Sequence, residues 1–183
     1  EHARTYGHRL TDAAGIDIVA IGCSTGGPNA LVEIIPKLPA ELAVPVVITQ
    51  HMPPMFTRLL AERLNDQSKL KVMEASEGMP IAAGTVLIAP GNYHMVIRRN
   101  GNQACVALNQ GPPENSCRPA ADVLFRSAAE TYGNSVIGVV LTGMGKDGLY
   151  GCEAVKGQGG YVIAQDEASS VVWGMPGFVS KGG

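Results

Sequence analysis

Short apolar runs, each closed by a turn and followed by a stretch of helical spacing, recur along this chain and leave few folds open to it. The first run covers residues 17–22, ending Ala20-Ile21-Gly22. Its apolar residues do not alternate with polar ones, as expected of a strand buried on both faces. A tight turn follows, and then Leu31, Ile34, Ile35 and Leu38 recur at helical spacing. Pro28 suits the first turn of that helix and Pro36 ends it.

The pattern repeats. Residues 44–49 read as a second buried strand, residues 50–54 as a turn, and Phe56, Leu59, Leu60 and Leu64 as one face of a second helix. Residues 86–89 read as a third strand. Residues 93–98 and 103–108 flank Asn100-Gly101, a strong hairpin signal because both residues tolerate positive φ. Residues 119–131 look helical. Residues 135–141 form another buried strand, followed by a glycine-rich turn, a helix from about Asp147 and a last strand at 161–164. Strands alternating with helices predict an α/β fold: a doubly wound, mostly parallel sheet with helices on both faces and one antiparallel hairpin added to it.

Composition narrows the function classes. The 183 residues are 45% hydrophobic and 16% charged, which fits one domain with a full core. The longest apolar runs are strand-length, whereas a spanning helix needs about 20 residues, so no membrane insertion is expected. A net charge of −2 and a pI near 6.1 argue against a nucleic-acid partner. Cys23, Cys105, Cys117 and Cys152 are widely spaced with no C-x-x-C, which argues against a zinc site or a disulfide framework and for reduced thiols in a cytoplasmic protein. Residues 1–15 lack the apolar stretch of a signal peptide and read as a linker or tail, with His2 and His8 solvated; residues 16–183 read as the functional domain.

In an open parallel sheet, ligands bind beyond the carboxyl ends of the strands. Three turns there carry chemistry. Gly22-Cys23-Ser24-Thr25-Gly26 fits G-x-S-x-G between a strand and a helix, which lifts Ser24 out of the sheet as a nucleophile. Two other readings of residues 22–28 stay open: a plain tight turn, and a phosphate- or nucleotide-binding loop in a non-catalytic module. His51 follows the second strand directly, and its ordinary pKa near 6.5 suits a general base. A capping or structural histidine is the competing reading, and His94, within the hairpin, is the rival base. Asp147 sits in the glycine-rich turn after residue 141, where it can orient an imidazole, or merely cap the next helix. Asp122 is the rival acid, but it falls inside a helix. Cys23 offers a thiol alternative to Ser24, though adjacent side chains in a turn usually diverge, so it is expected to pack beneath the loop. The chain order Ser–His–Asp differs from the α/β-hydrolase order.

Five segments, taken in order, resemble the catalytic domain of the bacterial chemotaxis protein-glutamate methylesterases, the CheB family. They are residues 21–28 (Ile21-Gly22-Cys23-Ser24-Thr25-Gly26-Gly27-Pro28), Gln50-His51-Met52-Pro53-Pro54, Ala89-Pro90-Gly91, residues 141–148 and Trp173-Gly174-Met175-Pro176. The resemblance implies a cytoplasmic enzyme that hydrolyses γ-glutamyl methyl esters on the helices of chemoreceptors, often deamidating receptor glutamines as well. It implies Ser24 as nucleophile, His51 as base and Asp147 as orienting acid, with no metal or organic cofactor. Thr25 and Met144 match positions linked to the oxyanion region and the lining of the site, and backbone N–H groups near Thr25, His51 or Met144 are the expected oxyanion donors. Family members commonly carry an N-terminal receiver domain and continue past the Gly-Met-Pro segment. Neither feature is matched here, so the chain is expected to be an excised domain or a differently built member, with hydrolysis indifferent to phosphodonors.

Overall fold

The computed structural model describes residues 15–182, so the expected tail lies, apart from Gly15, outside the described residues. In chain order the elements are β1 (Ile18–Cys23), α1 (Gly27–Ile34), β2 (Val46–Gln50), α2 (Phe56–Gln67), β3 (Lys71–Glu74), β4 (Thr85–Ile88), β5 (His94–Asn100) and β6 (Gln103–Asn109), then α3 (Ala121–Tyr132), β7 (Val136–Val140), α4 (Leu149–Gly157), β8 (Tyr161–Ala164) and α5 (Met175–Lys181). A 3₁₀ turn, Ile35–Lys37, continues α1 through Pro36, and a second, Gly133–Ser135, follows α3. No described helix is long and apolar enough to cross a membrane.

Six parallel strands form one sheet in the order β3-β4-β2-β1-β7-β8. Side chains of successive strand residues point to opposite faces, and the core divides accordingly. Ile18, Ala20, Val47 and Leu87 pack with α3, α4 and α5 on one face. Ile21, Cys23, Ile48 and Ile88 pack with Leu31, Leu60 and Leu64 of α1 and α2 on the other. The apolar runs at residues 18–21 of β1 and 46–48 of β2 are the consequence: each residue packs on one face or the other. Truncating a fully buried side chain such as Leu31 to alanine would cost about 2–5 kcal/mol.

The antiparallel hairpin is present as expected, and it stands apart from the parallel sheet. β5 and β6 pair with each other as a separate two-stranded sheet rather than extending the parallel one. The reason is tertiary: Met95, Ile97 and Val106 pack with Leu124, Phe125 and Ala128 of α3, and Ile97 N–H donates to Ser127 Oγ at 3.0 Å. Strand β1 lies between β2 and β7, so the chain leaves it in one direction and later returns on its other side. The crevice of such a sheet opens at this reversal. The carboxyl ends of β1, β2 and β7 deliver Ser24, His51 and the 141–148 turn to it.

Candidate active site

The turn after β1 is fixed by its backbone. Ser24 N–H donates to Thr142 O at 3.0 Å, and Ser24 O accepts from Gly27 N–H at 2.8 Å. Gly26 closes the turn at φ 83°, a left-handed conformation that suits glycine, and Pro28 opens the first turn of α1. The turn after β7 runs directly against Ser24. A Cβ on Gly143 would fall 2.8 Å from Ser24 Cβ, so only glycine allows this approach. Ser24 is half-buried in an open cleft shared with Thr25, Gln50, His51 and Phe56.

Gln50 locks the first two turns together. It is 2% exposed, and its Nε2 donates to Ser24 O at 3.0 Å and to His51 O at 3.1 Å. Its Oε1 accepts from Cys23 Sγ at 3.0 Å. Cys23 is therefore buried beneath the loop as expected, and burial pushes its thiol well above the ordinary range. His51 N–H donates to Cys23 O at 3.0 Å. That bond corrects one expectation: the His51 amide is spent holding β2 to β1 and is not free for an oxyanion. Among the described residues the N–H groups of Thr25 and Met144 have no acceptor. Both residues are exposed, Met144 at 68%.

His51 Nε2–H donates to Asp147 Oδ2 at 2.6 Å, with both side chains almost entirely covered. Asp147 Oδ2 also accepts from Ala121 N–H at 2.6 Å, and Oδ1 from the N–H groups of Asp122 and Gly148, each at 3.0 Å. Asp147 thus caps α3 rather than the helix that follows it, and it does so while holding the imidazole. Burial opposes its charge, but the His51 hydrogen bond and these N–H donors outweigh burial and hold the carboxyl below its usual value. For His51, burial likewise opposes the charged form. Its hydrogen bond to Asp147, its contact with Cys117 and the negative charge of Asp147 outweigh burial, pushing the imidazole up to about 9.

The remaining ring nitrogen faces a residue that carried no signal in the sequence. Cys117 Sγ lies 3.5 Å from His51 Nδ1. Among the described residues no hydrogen bond joins Ser24 Oγ to His51, so the structure pairs His51 with Asp147 and places Ser24 in the same cleft as His51 without closing that contact. His94 is buried away from this chemistry. Its Nε2–H donates to Pro112 O and its Nδ1 accepts from Ala120 N–H, so both nitrogens are structural. Asp122 has a structural task too, accepting from Gly148 and Gly151 N–H at 3.0 and 2.7 Å to cap α4.

The family model for CheB methylesterase matches residues 19–183. This chain belongs to that family. A protein-glutamate methylesterase/protein-glutamine glutaminase of Trichodesmium erythraeum is 57% identical over 168 residues, 92% of this chain and 48% of that protein. One of the same description from Paramagnetospirillum magneticum is 52% identical, over 91% of this chain and 44% of that protein. The chain thus spans about half the length of the curated relatives it matches. Among solved structures it resembles the Thermotoga maritima CheB methylesterase catalytic domain, with a TM-score of 0.89 at 45% identity, covering 92% of this chain and 89% of that one. The CheB fold and family expected from the five segments are therefore established.

Proposed function

We propose that this CheB-family chain is a serine esterase that hydrolyses glutamyl methyl esters on the cytoplasmic helices of chemoreceptors, and that it also deamidates receptor glutamines. Ser24 Oγ attacks the ester carbonyl while His51 takes its proton. Asp147 occupies Nε2, so the proton goes to Nδ1. The oxyanion is held by the free N–H groups of Thr25 and Met144 in the turns that flank Ser24. His51 protonates the leaving methanol, then activates the water that hydrolyses the glutamyl-enzyme. With a glutamine substrate the leaving group is ammonia and the second step is the same.

The observation that carries this reading is the 2.6 Å His51–Asp147 pair, buried beside the cleft that also receives Ser24. A phosphate-binding loop would use backbone N–H groups alone and has no need of an imidazole held by a buried carboxylate. Ser24 Oγ reaches Nδ1 when Cys117 gives way to it, a tightening common when substrate arrives. Methanol release from methylated receptor should be rapid with the wild-type chain and absent with Ser24→Ala. Equal release by both would remove Ser24 from the mechanism.

A further inference from the structure

Residues Glu114, Asn115, Ser116 and Cys117 form a tight turn across the face of the His51–Asp147 pair. Glu114 N–H donates to Cys117 O at 3.1 Å and Cys117 N–H to Glu114 O at 2.8 Å. The two central residues are left-handed, with φ 50° at Asn115 and 62° at Ser116. Asparagine tolerates this conformation better than most residues, serine less well. Arg126 on α3 anchors the turn through a 2.6 Å ion pair with Glu114.

From this turn Asn115 Nδ2 donates to Asp147 Oδ1 at 3.1 Å and to Asp122 Oδ2 at 2.8 Å. Each of its two hydrogens meets one carboxylate, and both partners when ionised only accept, so the nitrogen and not the oxygen of the amide must face them. The two carboxylates repel each other, and Asp122 is pushed up chiefly by burial and further by Asp147. Among the described residues Asn115 is the side chain that donates to both.

We infer that Asn115 is a positioning residue of the hydrolytic reaction, acting through Asp147. The inference rests on the reading of Ser24, His51 and Asp147 as a triad. The helix-terminal N–H groups hold Asp147 as a cap. Asn115 ties it in addition to the turn whose Cys117 meets His51 Nδ1, so one four-residue turn touches both acid and base. A neutral amide fixes the direction of Oδ2 without cancelling the charge that stabilises the imidazolium, as a lysine or arginine there would. The charged or titratable groups facing the pair are Cys117 from the turn and Asp122 and Arg126 from α3.

Asn115→Gly keeps the left-handed turn and removes only the amide. It should lower kcat for methanol release on the order of 10-fold, the effect of one hydrogen bond to a charged group, with little change in KM. Asn115→Asp keeps the shape and adds a negative charge, so the rise of kcat/KM with pH should move to higher pH. In an Asp147→Asn background, Asn115→Gly should have almost no further effect. Full kcat in folded Asn115→Gly, or an undiminished effect in the Asp147→Asn background, would overturn the inference. Should the glycine variant fail to fold, unchanged kcat and pH profile in Asn115→Asp would overturn it equally. Full activity in Asp147→Asn alone would instead remove the triad on which it rests.

Discussion

Asp147 and Asp122 cap each other's helices. Asp147, in the turn before α4, accepts from the first N–H groups of α3, while Asp122, in the first turn of α3, accepts from Gly148 and Gly151 at the start of α4. Anionic caps at two helix N-termini are favourable, and each carboxylate is held at both ends. Yet only Asp147 also meets His51. The two should therefore separate by experiment. Asp122→Ala leaves the buried Gly151 N–H without its acceptor, while Gly148 N–H keeps Asp147 Oδ1, and should cost about 1–3 kcal/mol in denaturant unfolding. Asp147→Asn should leave the fold intact and lower turnover by up to about 10⁴-fold, the loss of tautomer control. An unchanged rate in Asp147→Asn with an inactive, folded Asp122→Asn would reassign the acid.

Ser24→Ala and His51→Ala should each lose on the order of 10⁴- to 10⁶-fold in methanol release, because residues acting as one unit fail together. The double variant should be little worse than either alone. Losses that multiply would mean that serine and histidine act in separate steps.

Activity should rise with pH over an unusually high range. A base must be neutral, and His51 is pushed up to about 9 by Asp147 and Cys117 against the opposing effect of burial. kcat/KM should therefore climb towards pH 9 instead of levelling off near 6.5. Stability follows the opposite sign. A raised histidine contributes fully below about 6.5 and loses that contribution as pH rises through about 9. At the other end, Asp147 is held below its usual value, so its contribution is present above about 4 and is lost as pH falls through the depressed value. A pH–rate profile beside a pH–stability profile tests both, and a plateau reached by pH 7 would contradict the first.

How much of this was legible in the sequence depended on where each residue sits. Ser24, His51 and the 141–148 turn could be placed at one edge because each directly follows an apolar run, and a strand covered on both faces writes its ends plainly. Strand β3 could not be read: Lys71, Val72, Met73 and Glu74 form a short edge strand in which only Val72 is buried. The hairpin was legible as a hairpin, but its packing on α3 depends on Leu124, Phe125 and Ala128, which no local pattern connects to it. Asp147 offered two readings, cap or orienting acid; it caps a helix that precedes it in the chain and bonds the His51 ring as well. Asn115 and Cys117 lay in a polar loop without periodicity, and their partners Asp147 and His51 are 32 and 66 residues away. Gln50 left a faint signal, a polar residue ending a strand whose every residue is buried.

Cys117 supplies the last prediction. Its thiol stands at His51 Nδ1, the ring nitrogen that takes the Ser24 proton in the proposed mechanism, and it is partly exposed beside the His51 cleft. Cys23 and Cys152 are buried, and burial pushes both thiols up, Cys152 to about 12, so neither offers an accessible thiolate. Iodoacetamide should therefore alkylate Cys117 ahead of these two and stop methanol release, because the added group stands between His51 Nδ1 and Ser24. Cys117→Ser should keep substantial activity and become insensitive to the reagent, whereas Cys23→Ala should stay active and remain sensitive. Mass spectrometry locates the adduct. Full turnover by protein shown to carry it on Cys117 would mean that Nδ1 is not the nitrogen that receives the proton.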